Sequence, residues 1–456
     1  MQLTNLTRNL EIGANSYLLK AGGNSILLDA GFHPKMEGWA ALPNFSLLEE
    51  ENLDIVVLTH AHHDHIGALP TLTKRYRDIP VYMTPATARV ADIMLHNSVN
   101  VMMRRREAAN LPEYPLFTHR GVDRCSETWQ PQPIGHAFYP CSFFGREMQD
   151  VRVCFFDAGH VLGSAGVLVE SEGRTFFYTG DVNFSDQSIL RGAEFPEEGI
   201  DILMMEATRG DSPTEKNFTR AAEELRLAQA IKEIFERGGA VTIPVFSLGK
   251  TQELLAMFWK MRIYGLLPTV PIYIGGLSAK LTVVYDSFSS NTRRHSPALQ
   301  LLQEMTPHVV NGASIRSCCL TQQSIFALSS GMMSENTLSN IFARRILESP
   351  RQGLFFVGHA DADSPAGKIR RTVIDQEVVL EVGLPALKRK CQCKEFNFSA
   401  HSSREALLAY ALRIRPKIIV LAHGDPLALE WFRMSLTQAL PKTRIVLPQP
   451  GQAVDL

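Results

Sequence analysis

Thr59-His60-Ala61-His62-His63-Asp64-His65-Ile66-Gly67 places four histidines and an aspartate within six residues. The cluster follows directly on Asp54-Ile55-Val56-Val57-Leu58-Thr59, a short apolar run of the kind that forms a buried strand. Imidazole and carboxylate are the ligands that zinc and similar borderline cations take. A loop leaving a strand end turns His60 and His62 to one point and Asp64 and His65 to another, so the spacing predicts two metals sharing a site. The bland alternative is a solvated histidine-rich tract. The HxHxDH spacing argues against it, and so do ligand candidates after other strands. These are His160 in Asp157-Ala158-Gly159-His160-Val161-Leu162-Gly163-Ser164-Ala165 and Asp181 in Tyr178-Thr179-Gly180-Asp181-Val182-Asn183.

Outward from the cluster, Ser16–Leu19, Ser25–Asp29, Val151–Phe156, Val167–Val169 and Thr175–Thr179 read as strands. Ala221–Glu236 has helical periodicity and stops at Gly238-Gly239; Ala240–Phe246 is strand-like and Thr251–Met261 helix-like. This alternation predicts an α/β unit with a parallel sheet. Lys417–Ala422 and Arg444–Leu447 return to strands, and no repeat or Pro/Gly/Ser-rich linker separates the parts.

Taken in series, HxHxDH, the Gly159-His160-x-x-Gly163-Ser164 loop and Thr179-Gly180-Asp181 resemble the metallo-β-lactamase fold, and Leu28-Asp29-Ala30-Gly31 is similar to its first motif. An undecorated hydrolase of that fold carries its last ligand within some tens of residues of Thr-Gly-Asp. Here the best candidate, His423 in Val420-Leu421-Ala422-His423-Gly424-Asp425, lies 242 residues beyond Asp181. A domain-sized insertion must intervene. That arrangement resembles the β-CASP subfamily of metallo-β-lactamase-fold ribonucleases. Met205-Glu206-Ala207-Thr208 is similar to its motif A, Phe398-Ser399-Ala400-His401-Ser402 to motif B and Leu421-Ala422-His423-Gly424 to motif C. The expected fold is thus α/β: a metallo-β-lactamase αββα sandwich over residues 1–207 and 391–456, with an α/β β-CASP cap inserted at 208–390. RNA-cleaving members carry histidine at motif C, whereas the DNA-repair branch carries an apolar residue, so His423 points to RNA.

The resemblance implies that His60, His62 and His160 hold one Zn2+, and Asp64, His65 and His423 the other, with Asp181 bridging. Asp29 would fix a ligand histidine through its second ring nitrogen. Two such ions, with Mn2+ as a substitute, acidify a shared water and neutralise the attacked phosphoryl oxygens. His401 is the implied general acid for the leaving alkoxide, and Glu206 its orienting partner, favouring imidazolium. The implied products carry a 3′-hydroxyl and a 5′-phosphate.

Ser329-Ser330-Gly331-Met332-Met333 resembles the Ser/Pro-Gly-Met loop of the cap, which makes Ser330 and Gly331 candidate phosphate contacts. Ser399, either a phosphate contact or a plain turn hydroxyl, and Lys250 complete the substrate-binding candidates. Lys250 closes Pro244-Val245-Phe246-Ser247-Leu248-Gly249-Lys250, which ends like a nucleotide-binding P-loop. That motif needs glycine where Pro244 stands, so ATP binding is rejected. Gly358-His359-Ala360-Asp361-Ala362-Asp363 occupies the place of a Gly-Tyr…Gly-Thr substrate loop in many members and reads as a subgroup variation. Cys391-Gln392-Cys393 reads as structural, Arg104-Arg105-Arg106 as a solvated helical face, and His63 as the non-ligand member of its cluster, facing outward.

The 456 residues are 45% hydrophobic and 20% charged, which excludes a mainly disordered chain. Apolar runs are strand-length, so no membrane association is expected. The first residues lack a basic stretch followed by an apolar core, and seven scattered cysteines fit reduced thiols, so a cytoplasmic location is expected. Net charge is −1, yet residues 208–390 hold 22 Lys/Arg against 16 Asp/Glu, a balance suited to a polyanion. The reading is a zinc-dependent endoribonuclease of single-stranded RNA with 5′-exonuclease activity as a second mode. The 33 residues after His423 leave no room for an added dimerisation domain, which makes processive exonuclease action less expected, although a homodimer stays open. An inactive RNA-binding subunit, a DNA nuclease and a small-ester hydrolase are the competing functions.

Overall fold

The computed structural model describes residues 1–49, 52–108, 110–142, 145–320 and 322–456. Two compact units emerge. Met1–Asp186, Gly192–Thr214 and His401–Leu456 form the first; Gln187–Arg191 and Glu215–Ala400 form the second.

In the first unit, strands of alternating pattern build two sheets. One runs in the order Ala453–Asp455, Gln2–Asn5, Tyr17–Ala21, Asn24–Leu28, Ile55–Val57, Val81–Met83 and Trp129–Pro131. The other runs Arg444–Val446, Ile418–Ala422, Ile202–Glu206, Arg174–Tyr178, Ala165–Ser171 and Arg152–Asp157. Because side chains alternate along a strand, each buried strand feeds two layers. Ile26, Leu28, Ile55 and Val57 of the first sheet meet Phe155, Val167, Phe176, Met204 and Val420 of the second in one core. The intervening residues Phe177, Leu203, Met205, Ile419 and Leu421 point the other way, onto helices Arg404–Ile414 and Pro426–Ala439. Leu27, Val56 and Leu58 on the far face of the first sheet are also fully buried. Helices Leu69–Arg75, Pro85–Ala108 and His119–Ser126 connect the parallel strands there. The result is the expected αββα sandwich.

The second unit is a six-stranded sheet in the order His308–Val310, Ile272–Gly275, Ile325–Leu328, Val241–Pro244, Gly353–Phe356 and Gln392–Glu395, parallel throughout. Its limits differ from the 208–390 expected for the cap. Gln392–Glu395 pairs with Gly353–Phe356, so the unit runs on to Ala400. That strand reads QCKE and offers no apolar run to betray it. The short segment Gln187–Arg191 also belongs to this unit: Ser188 N and Ile189 N donate to the buried carboxylate of Glu253 at 2.7 and 3.1 Å. Among the described residues no helix is long and apolar enough to cross a membrane.

Candidate metal and catalytic site

Most functional side chains of the first unit sit at or shortly past a strand end. Asp29 follows Asn24–Leu28, His60 follows Ile55–Val57, Asp181 follows Arg174–Tyr178 and His423 follows Ile418–Ala422. Glu206 closes Ile202–Glu206, and His160 stands in the turn after Arg152–Asp157. His62 caps the one-turn helix His63–Ile66, which carries Asp64 and His65. Two glycines allow this convergence. A Cβ on Gly31 would lie 1.8 Å from the Asp64 carbonyl oxygen, and one on Gly180, whose φ is +52°, would lie 2.7 Å from Thr59 Cβ.

The ligand candidates fall into two groups, and Asp181 contacts both. His60 Nε2 and His160 Nε2 lie 3.0 and 3.1 Å from His62 Nδ1, and Asp181 Oδ2 lies 3.5 and 3.6 Å from His60 Nε2 and His160 Nε2. Four ligands roughly 2.0–2.1 Å from a tetrahedral zinc stand about 3.3–3.4 Å apart. The four atoms are therefore already spaced for one ion. Burial holds His60 well below its ordinary range and His62 down at about 4, so both present the unprotonated nitrogens a cation needs. In the second group, His423 Nε2 is 3.3 Å from Asp64 Oδ2, His423 Nδ1 2.9 Å and His65 Nε2 3.4 Å from Asp181 Oδ1. Burial opposes charge on His65 and His423. The surrounding carboxylates, Asp181 foremost, outweigh it, raising His65 well above its ordinary range and His423 to about 10. A cation held at this point would take the place of those protons. The donor set of both groups fits a divalent metal.

Asp29 is fully buried behind the second group. Its carboxylate accepts from Thr59 N at 2.8 Å, Thr59 Oγ1 at 2.9 Å and Tyr178 Oη at 3.0 Å, and stands 2.8 Å from His65 Nδ1. That contact puts the His65 proton on Nδ1 and aims Nε2 at Asp181. Thr59, Tyr178 and Asn15 are residues that sequence reading missed. Asn15 Nδ2 lies 3.2 Å from His65 Nε2 and donates to the Asp64 carbonyl at 3.2 Å. Thr59 stood inside the quoted motif; nothing local distinguishes Asn15 or Tyr178. His63, expected to face outward, is half-buried. Its ring packs edge-on against Phe32, with centroids 4.9 Å apart, and burial pulls it down to about 4.

A third group joins Asp181 to His401 and Glu206. His401 Nδ1 is 3.1 Å from Glu206 Oε2, and His401 Nε2 is 4.0 Å from Asp181 Oδ2. Glu206, buried, also accepts from Val182 N at 2.7 Å, and Ser402 N donates to the Val182 carbonyl at 2.7 Å. The loop carrying His401 is thus pinned beside the ligands. Burial works against the imidazolium, but Glu206 and then Asp181 overcome it and raise the His401 pKa.

The substrate-binding candidates all lie in the second unit. Lys250 and Gly331 line one pocket. Lys250 Nζ donates to the Phe398 carbonyl, next to Ser399, and burial pushes its ammonium down to about 8. Ser330 Oγ accepts from Ser334 N at 3.1 Å within its own turn.

Convergent histidines and aspartates at the strand ends of an αββα sandwich, interrupted by a parallel α/β insertion, define one class. The chain belongs to the β-CASP family of the metallo-β-lactamase superfamily. The "Beta-lactamase superfamily domain" matches residues 24–244, the "Beta-Casp domain" 251–369, and the "Zn-dependent metallo-hydrolase RNA specificity domain" 386–448. Among individual relatives, "Cleavage and polyadenylation specificity factor 73" of Drosophila melanogaster is 27% identical over 100% of this chain and 65% of its own length. "Probable RNase MJ4" of Methanocaldococcus jannaschii is 26% identical over 91% of each chain. "Endoribonuclease ysh1" of Schizosaccharomyces pombe is 26% identical over 93% of this chain and 54% of its own. The chain therefore spans between about half and two thirds of the longer relatives. A crystal structure of a protein of unknown function from Enterococcus faecalis V583 shares the fold, with TM-score 0.54 at 13% identity over 100% of this chain and 99% of the other.

Proposed function

We propose that this protein is a zinc-dependent ribonuclease that cuts single-stranded RNA internally, leaving a 3′-hydroxyl and a 5′-phosphate. The observation that carries this reading is the His401–Glu206 pair set against two groups of candidate ligands, with Asp181 in contact with both. His60, His62, His160 and Asp181 would hold one divalent ion, and Asp64, His65, His423 and Asp181 a second. When bound, the ions supply an activated water and offset charge on the attacked phosphoryl group. Asp29 keeps His65 in the tautomer that presents Nε2. Glu206 keeps a proton on His401 Nδ1 and stabilises the imidazolium, leaving Nε2–H to face the site. Delivery of that proton to the departing 3′-oxygen is the general-acid step, of a kind that contributes about 10²–10⁴-fold. The RNA relatives by name, and the positive balance of residues 208–390, support a polyanionic substrate of this type.

Purified protein with zinc or manganese should cut end-labelled single-stranded RNA and spare matching DNA, while Asp64→Ala/His65→Ala protein cuts neither. Label released first from the 5′ end would make the exonuclease mode the principal one. Equal cutting of DNA, or activity confined to small esters, would overturn the reading.

A further inference from the structure

In the second unit, the strands Val241–Pro244 and Ile325–Leu328 lie side by side and parallel. The chain leaves the first toward Ile272–Gly275 and the second toward Gly353–Phe356, which lie on opposite sides of the pair. The two connections thus run in opposite directions, each past the other's strand, and open α/β sheets bind ligands beyond the C-terminal strand ends where the order of connection reverses. A pocket occupies this place, lined by Phe246, Lys250, Gly331, Phe356 and His359 among others.

Its lining has an unusual make-up. Phe246 is 43% exposed although it lies two residues beyond a buried strand. One side of its ring rests on Gly331, where a Cβ would come within 3.0 Å of the ring carbons, so glycine keeps the ring in place. Among the described residues the pocket lining itself includes no carboxylate. Lys250 spends one ammonium hydrogen on the Phe398 carbonyl and keeps two further donors. The His359 side chain is 78% exposed and stands 3.4 Å from the Asp361 carboxylate. An aromatic face beside a cation is the combination that holds one nucleotide of a single strand.

We infer that this pocket seats a single RNA nucleotide, its base stacked on Phe246 and its phosphate directed to Lys250. The inference rests on the ribonuclease reading and deepens it. Stacking accepts any base, so the pocket contributes affinity and register and leaves sequence choice to other contacts. Base stacking acts on the bound substrate before and during the reaction alike, so its loss falls on KM and spares kcat.

The experiment uses the full chain and a short single-stranded RNA carrying 2-aminopurine at each position in turn, in EDTA so that no cutting occurs. Stacking on an aromatic ring quenches this base. Wild-type protein should quench it at one position, Phe246→Trp should keep the quench and Phe246→Leu should lose it. With metal present, Phe246→Leu should raise KM about 10-fold and leave kcat within about twofold. Phe246→Leu protein that quenches and turns over like wild type would overturn the pocket while leaving the ribonuclease reading intact. Wild type that quenches at one position but never cuts RNA would keep the pocket and remove the ribonuclease.

Discussion

Replacing Asp29 by Asn tests whether the site is tuned from behind. Asp29 has a left-handed backbone, φ +58°, a region that asparagine tolerates and alanine does not, so the exchange leaves the main chain unstrained. One carboxylate oxygen stays matched, because the amide oxygen can still accept from Thr59 N. The other becomes an NH2 group facing three donors: Thr59 Oγ1, Tyr178 Oη and His65 Nδ1. His65 relieves the clash only by moving its proton to Nε2, the nitrogen that points at Asp181. Loss of such a carboxylate partner behind a ligand histidine costs about 10–100-fold in metal affinity, or roughly 1.4–2.7 kcal/mol. Mismatched buried donors should lower folding stability by about 1–3 kcal/mol besides. Competition against a chromophoric zinc chelator reads the first quantity and a urea melt of metal-free protein the second. Asp29→Asn protein that binds both ions as tightly as wild type would refute the tautomer argument, whatever its activity.

His401→Ala should keep its full metal content by elemental analysis and lose about 10²–10⁴-fold in kcat; near-normal turnover would remove His401 as the acid. In Glu206→Gln the carboxylate that raises the His401 pKa is gone, so its imidazolium deprotonates at lower pH. Because the acid must be protonated to act, the alkaline limb of the kcat profile should move toward lower pH, and an unmoved limb would break the pairing. Gly180→Ala should destabilise the fold by about 1–3 kcal/mol through its positive φ alone, with added pressure on Thr59 that a denaturant midpoint and metal titration will both register.

The ligand cluster was legible because its side chains have no comparable structural use in that spacing, and the strands because apolar runs mark them. Tyr17–Ala21, Arg174–Tyr178 and Ile418–Ala422 each fall within two residues of the runs read as strands. What escaped depends on register between distant strands. Tyr178 reaches Asp29 across 149 positions and Thr208 reaches His423 across 215, contacts that no local pattern encodes. The half-burial of His63 escaped for the same reason, since it depends on Phe32 in another loop. Gln392–Glu395 was missed because an edge strand with polar residues lacks the hydrophobic signal by which strands are recognised.

The strand Ile418–Ala422 lies between Ile202–Glu206 and Arg444–Val446, and His401 and His423 reach their places only after the second unit has been completed in the chain. During synthesis this has a temporal meaning. A nascent chain that has emerged through Ala400 already carries the HxHxDH loop, His160 and Asp181, but Ile202–Glu206 still has an open edge, Glu206 has no imidazole to hold, and the second ligand group lacks its last member. On the ribonuclease reading, an incomplete chain beside its own message and ribosome would therefore be unarmed.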